Sequence, residues 1–160
     1  MNETIFSLKG KTALVTGGGT GVGVSIAMAL SKAGAKVALA ARREEKLKET
    51  EVSIVASGGI AQSFRLDVSS EENVKNCLDS IAEEMGEIDI LINNAGTTTV
   101  GLLDQTDSED WDMVMNTNLR GPWFLAKQWV SRRKERNLTG GNILNISSIN
   151  GEAPQKGNGV

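Results

Sequence analysis

The sequence predicts an α/β fold, a doubly wound parallel sheet, and three observations carry that prediction. Five short runs rich in apolar and β-branched residues recur along the chain, as strands buried on both faces require. Segments with helical spacing separate each run from the next, which implies right-handed βαβ crossovers. The first run ends directly in a cluster of glycines that opens a helix, the arrangement by which a backbone approaches a phosphate. The strand order expected is 3-2-1-4-5.

Thr12 to Thr16 (TALVT) is the first strand. Ile26, Leu30 and Ala33 then repeat at helical spacing until Gly34 stops the pattern. Lys36 to Ala41 (KVALAA) reads as a buried strand, and Glu44 to Ala56 as a charged helix with Leu47, Val52 and Val55 turned inward. After Gly58-Gly59, Ala61 to Leu66 forms a third strand. Ser69 and Glu72 have capping-box spacing before a helix whose Val74, Leu78, Ile81 and Met85 share one face, with Gly86 as its stop.

Asp89 to Ile92 (DILI) is the fourth strand. Thr106 and Glu109 suggest a second capping box, opening one long helix through Trp111, Val114, Leu119, Phe124, Leu125 and Trp129. The basic stretch Arg132 to Arg136 at its end reads as a solvated face matched to the helix dipole. Asn142 to Ile146 (NILNI) is the fifth strand, followed by Ser147-Ser148 and a Gly/Pro-rich tail.

Composition narrows the chemistry. The 160 residues suit one domain, and 17 Lys+Arg against 20 Asp+Glu give a net charge of −3 with no long basic run. Neither a nucleic acid nor an anionic membrane is indicated as partner. One cysteine, Cys77, excludes an internal disulfide and a Cys-based metal site. With no histidine, Ser-His-Asp triads and His-ligated zinc are excluded, so no metal site is expected. The N-terminus lacks the apolar core of a signal peptide and no stretch is long enough to span a membrane, so a cytoplasmic location is expected. The sequons at Asn2, Asn137 and Asn145 are read as chance matches.

Gly17, Thr20, Gly21, Val22 and Gly23 lie in the strand-loop-helix segment that would cradle a pyrophosphate. Its Thr-Gly-x-x-x-Gly-x-Gly spacing resembles that of short-chain dehydrogenases/reductases, and four further matches occur in that family's order. Asp67-Val68 resembles the pair that holds adenine. Asn93-Asn94-Ala95-Gly96 matches the family's Asn-Asn-Ala-Gly. Asn118-Leu119 resembles the catalytic-asparagine motif, and Ser148 before Ile-Asn-Gly the catalytic serine, with Ser147 as the competing hydroxyl. The resemblance covers essentially the whole chain and is strongest to reductases of the 3-oxoacyl-carrier-protein type.

That resemblance implies a single NAD(P)-binding Rossmann domain, residues 1–160, and an oxidoreductase that interconverts a carbonyl and a secondary alcohol. Asn94, Ala95 and Gly96 would border the cofactor. Asn118 would hold a water in the proton relay, and Ser148 would stabilise the charge developing on the substrate oxygen. Thr97 to Leu103 would line one wall of the substrate cleft. Ala41 stands where NAD-binding members carry an acid, and Arg42-Arg43 come directly after it; guanidinium groups there would pair with a 2′-phosphate, so NADP is expected over NAD.

The family's Tyr-x-x-x-Lys has no counterpart in these residues, and Lys156 is preceded by no tyrosine. That tyrosine normally comes about thirteen residues after the serine, just past Val160. The expectation is therefore a chain incomplete at its C-terminus, with the fifth strand a bare edge and Trp123 and Trp129 partly uncovered. The intact protein would be a homo-oligomer, dimer or tetramer, acting on a small molecule. A non-catalytic NADP(H)-binding or regulatory protein is the alternative; a sugar-nucleotide epimerase of the extended family is disfavoured by the glycine spacing.

Overall fold

The computed structural model describes residues 6–153. The sequon at Asn2, Lys156 and the chain end at Val160 lie outside them. Five parallel strands, β1 (Thr12–Thr16), β2 (Lys36–Ala41), β3 (Ile60–Arg65), β4 (Ile90–Asn93) and β5 (Asn142–Asn145), form one sheet in the order β3-β2-β1-β4-β5, as the sequence predicts. The register sets Thr12 beside Lys36 and Ala13 beside Ile90, so the C-terminal ends of β1 and β4 open along the same edge.

Helices cover both faces. On one side α1 (Gly21–Lys32) and α2 (Glu44–Ala56) pack over Val15, Val37, Leu39 and Ile92, with Ala27, Leu47 and Ile54 completing that half of the core. On the other, α3 (Glu71–Met85) and α5 (Gly121–Glu135) cover Leu14, Ala38, Ala40 and Leu91 through Val74, Leu78, Ile81, Phe124, Leu125 and Trp129. Central strands with nearly every side chain buried explain why β1 and β2 read as unbroken apolar runs.

Several local expectations are corrected. In α2 the inward side chains are Leu47, Thr50 and Ile54, while Val52 and Val55 face solvent. The Leu47-Thr50-Ile54 spacing of three and four defines one helical face, and Val52 falls on the opposite side. The cap of α3 is Ser70, which accepts the Asn73 N–H at 3.2 Å; Ser69 is already committed to Asp67. Likewise α4 (Ser108–Met115) is capped by Asp107 through the Asp110 N–H, whereas the Thr106 hydroxyl turns back to the Leu102 carbonyl.

The long helix is not uniform either. A π-turn at Asn116–Arg120 separates α4 from α5 without breaking the backbone, and Trp111 and Leu119 are exposed. Arg133 departs furthest from expectation, because it is not on a solvated face: only 7% of it is exposed. Its guanidinium lies 4.9 Å from the Trp129 ring and donates to the carbonyls of Ile88, Thr139 and Gly140. Trp129 is buried as well, its indole N–H donating to Ile88 at 2.9 Å. Trp123 and the Leu144 side chain of the edge strand β5 are exposed, as expected. Among the described residues no helix is long and apolar enough to cross a membrane, and no cluster of three metal-ligating side chains occurs.

Candidate functional site

The loop between β1 and α1 is shaped by absent side chains. A Cβ on Gly23 would stand 2.2 Å from the Gly17 carbonyl oxygen, so only glycine lets the first turn of α1 close onto the loop. Thr20 occupies the N-cap in an extended conformation without its side chain closing any N–H, and the first turn of α1 carries no acidic residue. These N–H groups and the positive end of the helix dipole are free to meet an anion.

Asn94 acts as a strut beneath that loop. Its Nδ2 donates to the Thr16 carbonyl at 2.9 Å and to Gly17 at 3.4 Å. In return the Thr16 hydroxyl oxygen accepts the N–H groups of Asn94 and Ala95, both at 3.0 Å, and donates to Ile92. The ends of β1 and β4 are thus tied into one rigid shelf. Asn93 adds a cross-strand bond to Asn145 at 2.8 Å.

Above the shelf lies a cavity of about 390 Å³. It brings together Gly17, Thr20, Val22, Gly23, Arg42, Arg43, Asp67, Val68, Asn94, Ala95 and Gly96, all expected from the sequence, but not Gly21. Gly21 takes a positive φ at the start of α1, and its contribution is to the turn. Lys46 and Thr117 also line the cavity, and neither is singled out by the sequence. The lysine looks like part of a solvated helix, and the π-turn that presents Thr117 leaves no trace in hydrophobic periodicity.

Asp67 is held ionised at one side of this cavity. Burial opposes its charge, but the Ser69 hydroxyl at 2.6 Å and N–H at 3.0 Å, with Arg42 and Arg65 nearby, outweigh it and lower its pKa below the ordinary aspartate value. Cys77, by contrast, is buried without a polar partner and its thiol is pushed up to about 12, which leaves it inert at neutral pH.

A second cleft of about 790 Å³ adjoins the first, and the two share Asn94, Ala95 and Gly96. Asn118, Ser147 and Ser148 all line it, with Thr97, Thr98, Trp123 and Ile146. Of the wall expected from Thr97 to Leu103, only the first two residues reach the cleft; Val100, Leu102 and Leu103 point to solvent. Asn118 is exposed rather than embedded in packing, and its amide grips Thr97. The Ser148 oxygen accepts the Asn150 N–H at 3.2 Å, which leaves its own O–H free to donate into the cleft.

Comparison with known proteins agrees with this geometry. The family model described as short chain dehydrogenase matches residues 11–160. An uncharacterised oxidoreductase of Thermotoga maritima is 38% identical over 142 residues, covering 89% of this chain and 55% of the relative. A 3-oxoacyl-[acyl-carrier-protein] reductase of Chlamydia pneumoniae is 34% identical over 143 residues, covering 89% and 57%. The crystal structure of a gluconate 5-dehydrogenase from Burkholderia cenocepacia, in complex with NADP and tartrate, superposes with a TM-score of 0.86 at 33% identity, covering 96% of this chain and 59% of that one. The chain therefore spans little more than half the length of these relatives.

Proposed function

Because the chain belongs to the short-chain dehydrogenase family, we propose that the whole protein interconverts a small carbonyl compound and a secondary alcohol with NADP(H). One observation carries the reading: the cavity above the glycine loop and the cleft holding Asn118 and Ser148 meet at Asn94-Ala95-Gly96. A hydride donor in one and an acceptor in the other would face each other across that shared wall.

The residues present fit a dinucleotide. Gly23 keeps the loop close enough for its backbone to approach a pyrophosphate, and the uncapped start of α1 supplies the N–H groups. Asp67 and Val68 border the adenosine end. Arg42 and Arg43 supply fixed positive charge beside Ala41, where a carboxylate would repel a 2′-phosphate. When bound, NADPH supplies the hydride.

The chain's own groups then act on the second reactant. The Ser148 O–H donates to the substrate oxygen and stabilises its developing negative charge, a contribution of roughly 2.7 to 4 kcal/mol to the barrier. Asn118 fixes the backbone of Thr97 along the cleft wall, and its remaining N–H and lone pair are available to a water of the proton relay. The proton donor implied by the family resemblance is a tyrosine, a residue type absent from these 160 residues.

Turnover tests this reading. The full-length protein should oxidise NADPH in the presence of small ketones or keto acids, and Ser148→Ala should lower that rate about a hundredfold or more while leaving NADPH affinity nearly unchanged. NADPH binding without oxidation by any carbonyl compound would instead support the non-catalytic alternative.

A further inference from the structure

We propose that Lys46 is a third cationic anchor for the 2′-phosphate and a determinant of cofactor preference, with Glu49 competing for its ammonium group. The inference rests on the NADP reading above and extends it to a residue outside the Arg42-Arg43 pair.

Three observations lead to it. First, the cavity above the glycine loop is lined by Arg42, Arg43 and Lys46, against a single carboxylate, Asp67. Asp67 feels the field of Arg42, so that arginine is already partly compensated. With Lys46 included, the lining carries a surplus of two positive charges, the charge of a phosphate monoester dianion. The arginines alone leave a surplus of one.

Second, the position of Lys46 is set by backbone contact. Gly19 packs so closely on the first turn of α2 that a Cβ there would meet the Lys46 carbonyl carbon and Cβ at 3.0 Å and the Leu47 nitrogen at 3.1 Å. The lysine stem therefore starts beside the phosphate-binding loop, and its four-carbon reach needs no movement of the helix.

Third, the present partner of Lys46 is replaceable. Its Nζ lies 2.8 Å from Glu49 Oε1 and 3.1 Å from Oε2, one turn along the exposed side of α2, and both side chains are well solvated. Such a surface pair holds weakly. A dianionic phosphate flanked by two guanidinium groups would outcompete it for the ammonium, while a ribose 2′-hydroxyl would not.

Titration of the full-length protein with NADPH and NADH tests the proposal. Lys46→Gln should weaken NADPH about tenfold and change NADH by less than about twofold, and Lys46→Arg should retain most of the preference. Glu49→Gln should tighten NADPH a few-fold with no effect on NADH. An unmodified protein without preference for NADPH would overturn the NADP reading and this inference with it. A protein that prefers NADPH and keeps that preference through Lys46→Gln, or one in which both cofactors weaken together, would overturn this inference alone.

Discussion

Asn118 holds the backbone of Thr97 on both sides. Its Oδ1 accepts the Thr97 N–H at 2.8 Å, and its Nδ2 donates to the Thr97 carbonyl at 2.7 Å. This pairing makes one amide side chain the neighbour that a β-strand would otherwise supply, and it fixes the chain just after Gly96, where the two cavities meet. The π-turn at Asn116–Arg120 makes it possible: there Thr117 lines the cavity above the glycine loop and Asn118, the next residue, lines the cleft.

Asn118→Ala should therefore loosen the cleft wall before it affects cofactor binding. The Thr97 amide should exchange with solvent up to about tenfold faster, the loss expected for one hydrogen bond of about 1 kcal/mol, while NADPH affinity falls by less than about threefold. Amide hydrogen exchange with and without the substitution checks this. Unchanged protection at Thr97 would contradict the clamp.

Gly23→Ala should strongly weaken NADPH binding with little effect elsewhere in the fold. The added methyl would meet the Gly17 carbonyl oxygen at 2.2 Å, and the nearest way out is to push the loop away from α1. Affinity for NADPH should drop by about a hundredfold or more, since the proposed approach of the loop to a pyrophosphate depends on that closeness. Retained affinity would show that the loop can shift without loss.

How much of the fold and site is legible in the sequence depends on which force fixes each feature. β1 and β2 are legible to the residue because every side chain in Thr12–Thr16 and all but the ends of Lys36–Ala41 are buried, and burial writes itself into composition. The caps at Ser70 and Asp107 each lie one position from the residue the sequence suggests, because adjacent Ser, Thr and Asp residues are equal candidates until one is claimed elsewhere, as Ser69 is by Asp67. The inward face of α2 is hidden by Thr50, a polar residue at a core position that donates to the Lys46 carbonyl. Arg133 is invisible within its basic run, since a charge count cannot tell a buried guanidinium from a solvated one.

Arg133→Met accordingly should destabilise the fold by roughly 3 kcal/mol, because the Thr139 and Gly140 carbonyls lose their donor, the Ile88 carbonyl keeps only the Trp129 indole N–H, and the guanidinium leaves the Trp129 ring. Arg136, whose guanidinium pairs with Glu87 at the surface, should tolerate the same change at a cost below about 1 kcal/mol. Urea unfolding of both variants makes the comparison, and equal losses would contradict the buried role assigned to Arg133.

Asp67 predicts a dependence on pH. Its folded pKa lies below the ordinary aspartate value of 3.8, so the ionised form is the one the fold favours. The resulting stability is fully present above the unfolded value and is lost as pH falls through the lowered folded value. The stability difference between the native protein and Asp67→Asn should be constant near neutrality and shrink below about pH 3.8. A difference that grows on acidification would reverse the sign of the proposed interaction.

Recognition of NADP through the arginines at the end of β2 is central to the proposed function, and cofactor affinity measures it most directly. Titration of intrinsic fluorescence should give tighter binding of NADPH than NADH for the native protein. The paired substitution Ala41→Asp with Arg42→Ala should reverse that order, because a carboxylate replaces a guanidinium beside the ribose. A native protein that prefers NADH, or a paired variant that still prefers NADPH, would contradict this mode of recognition.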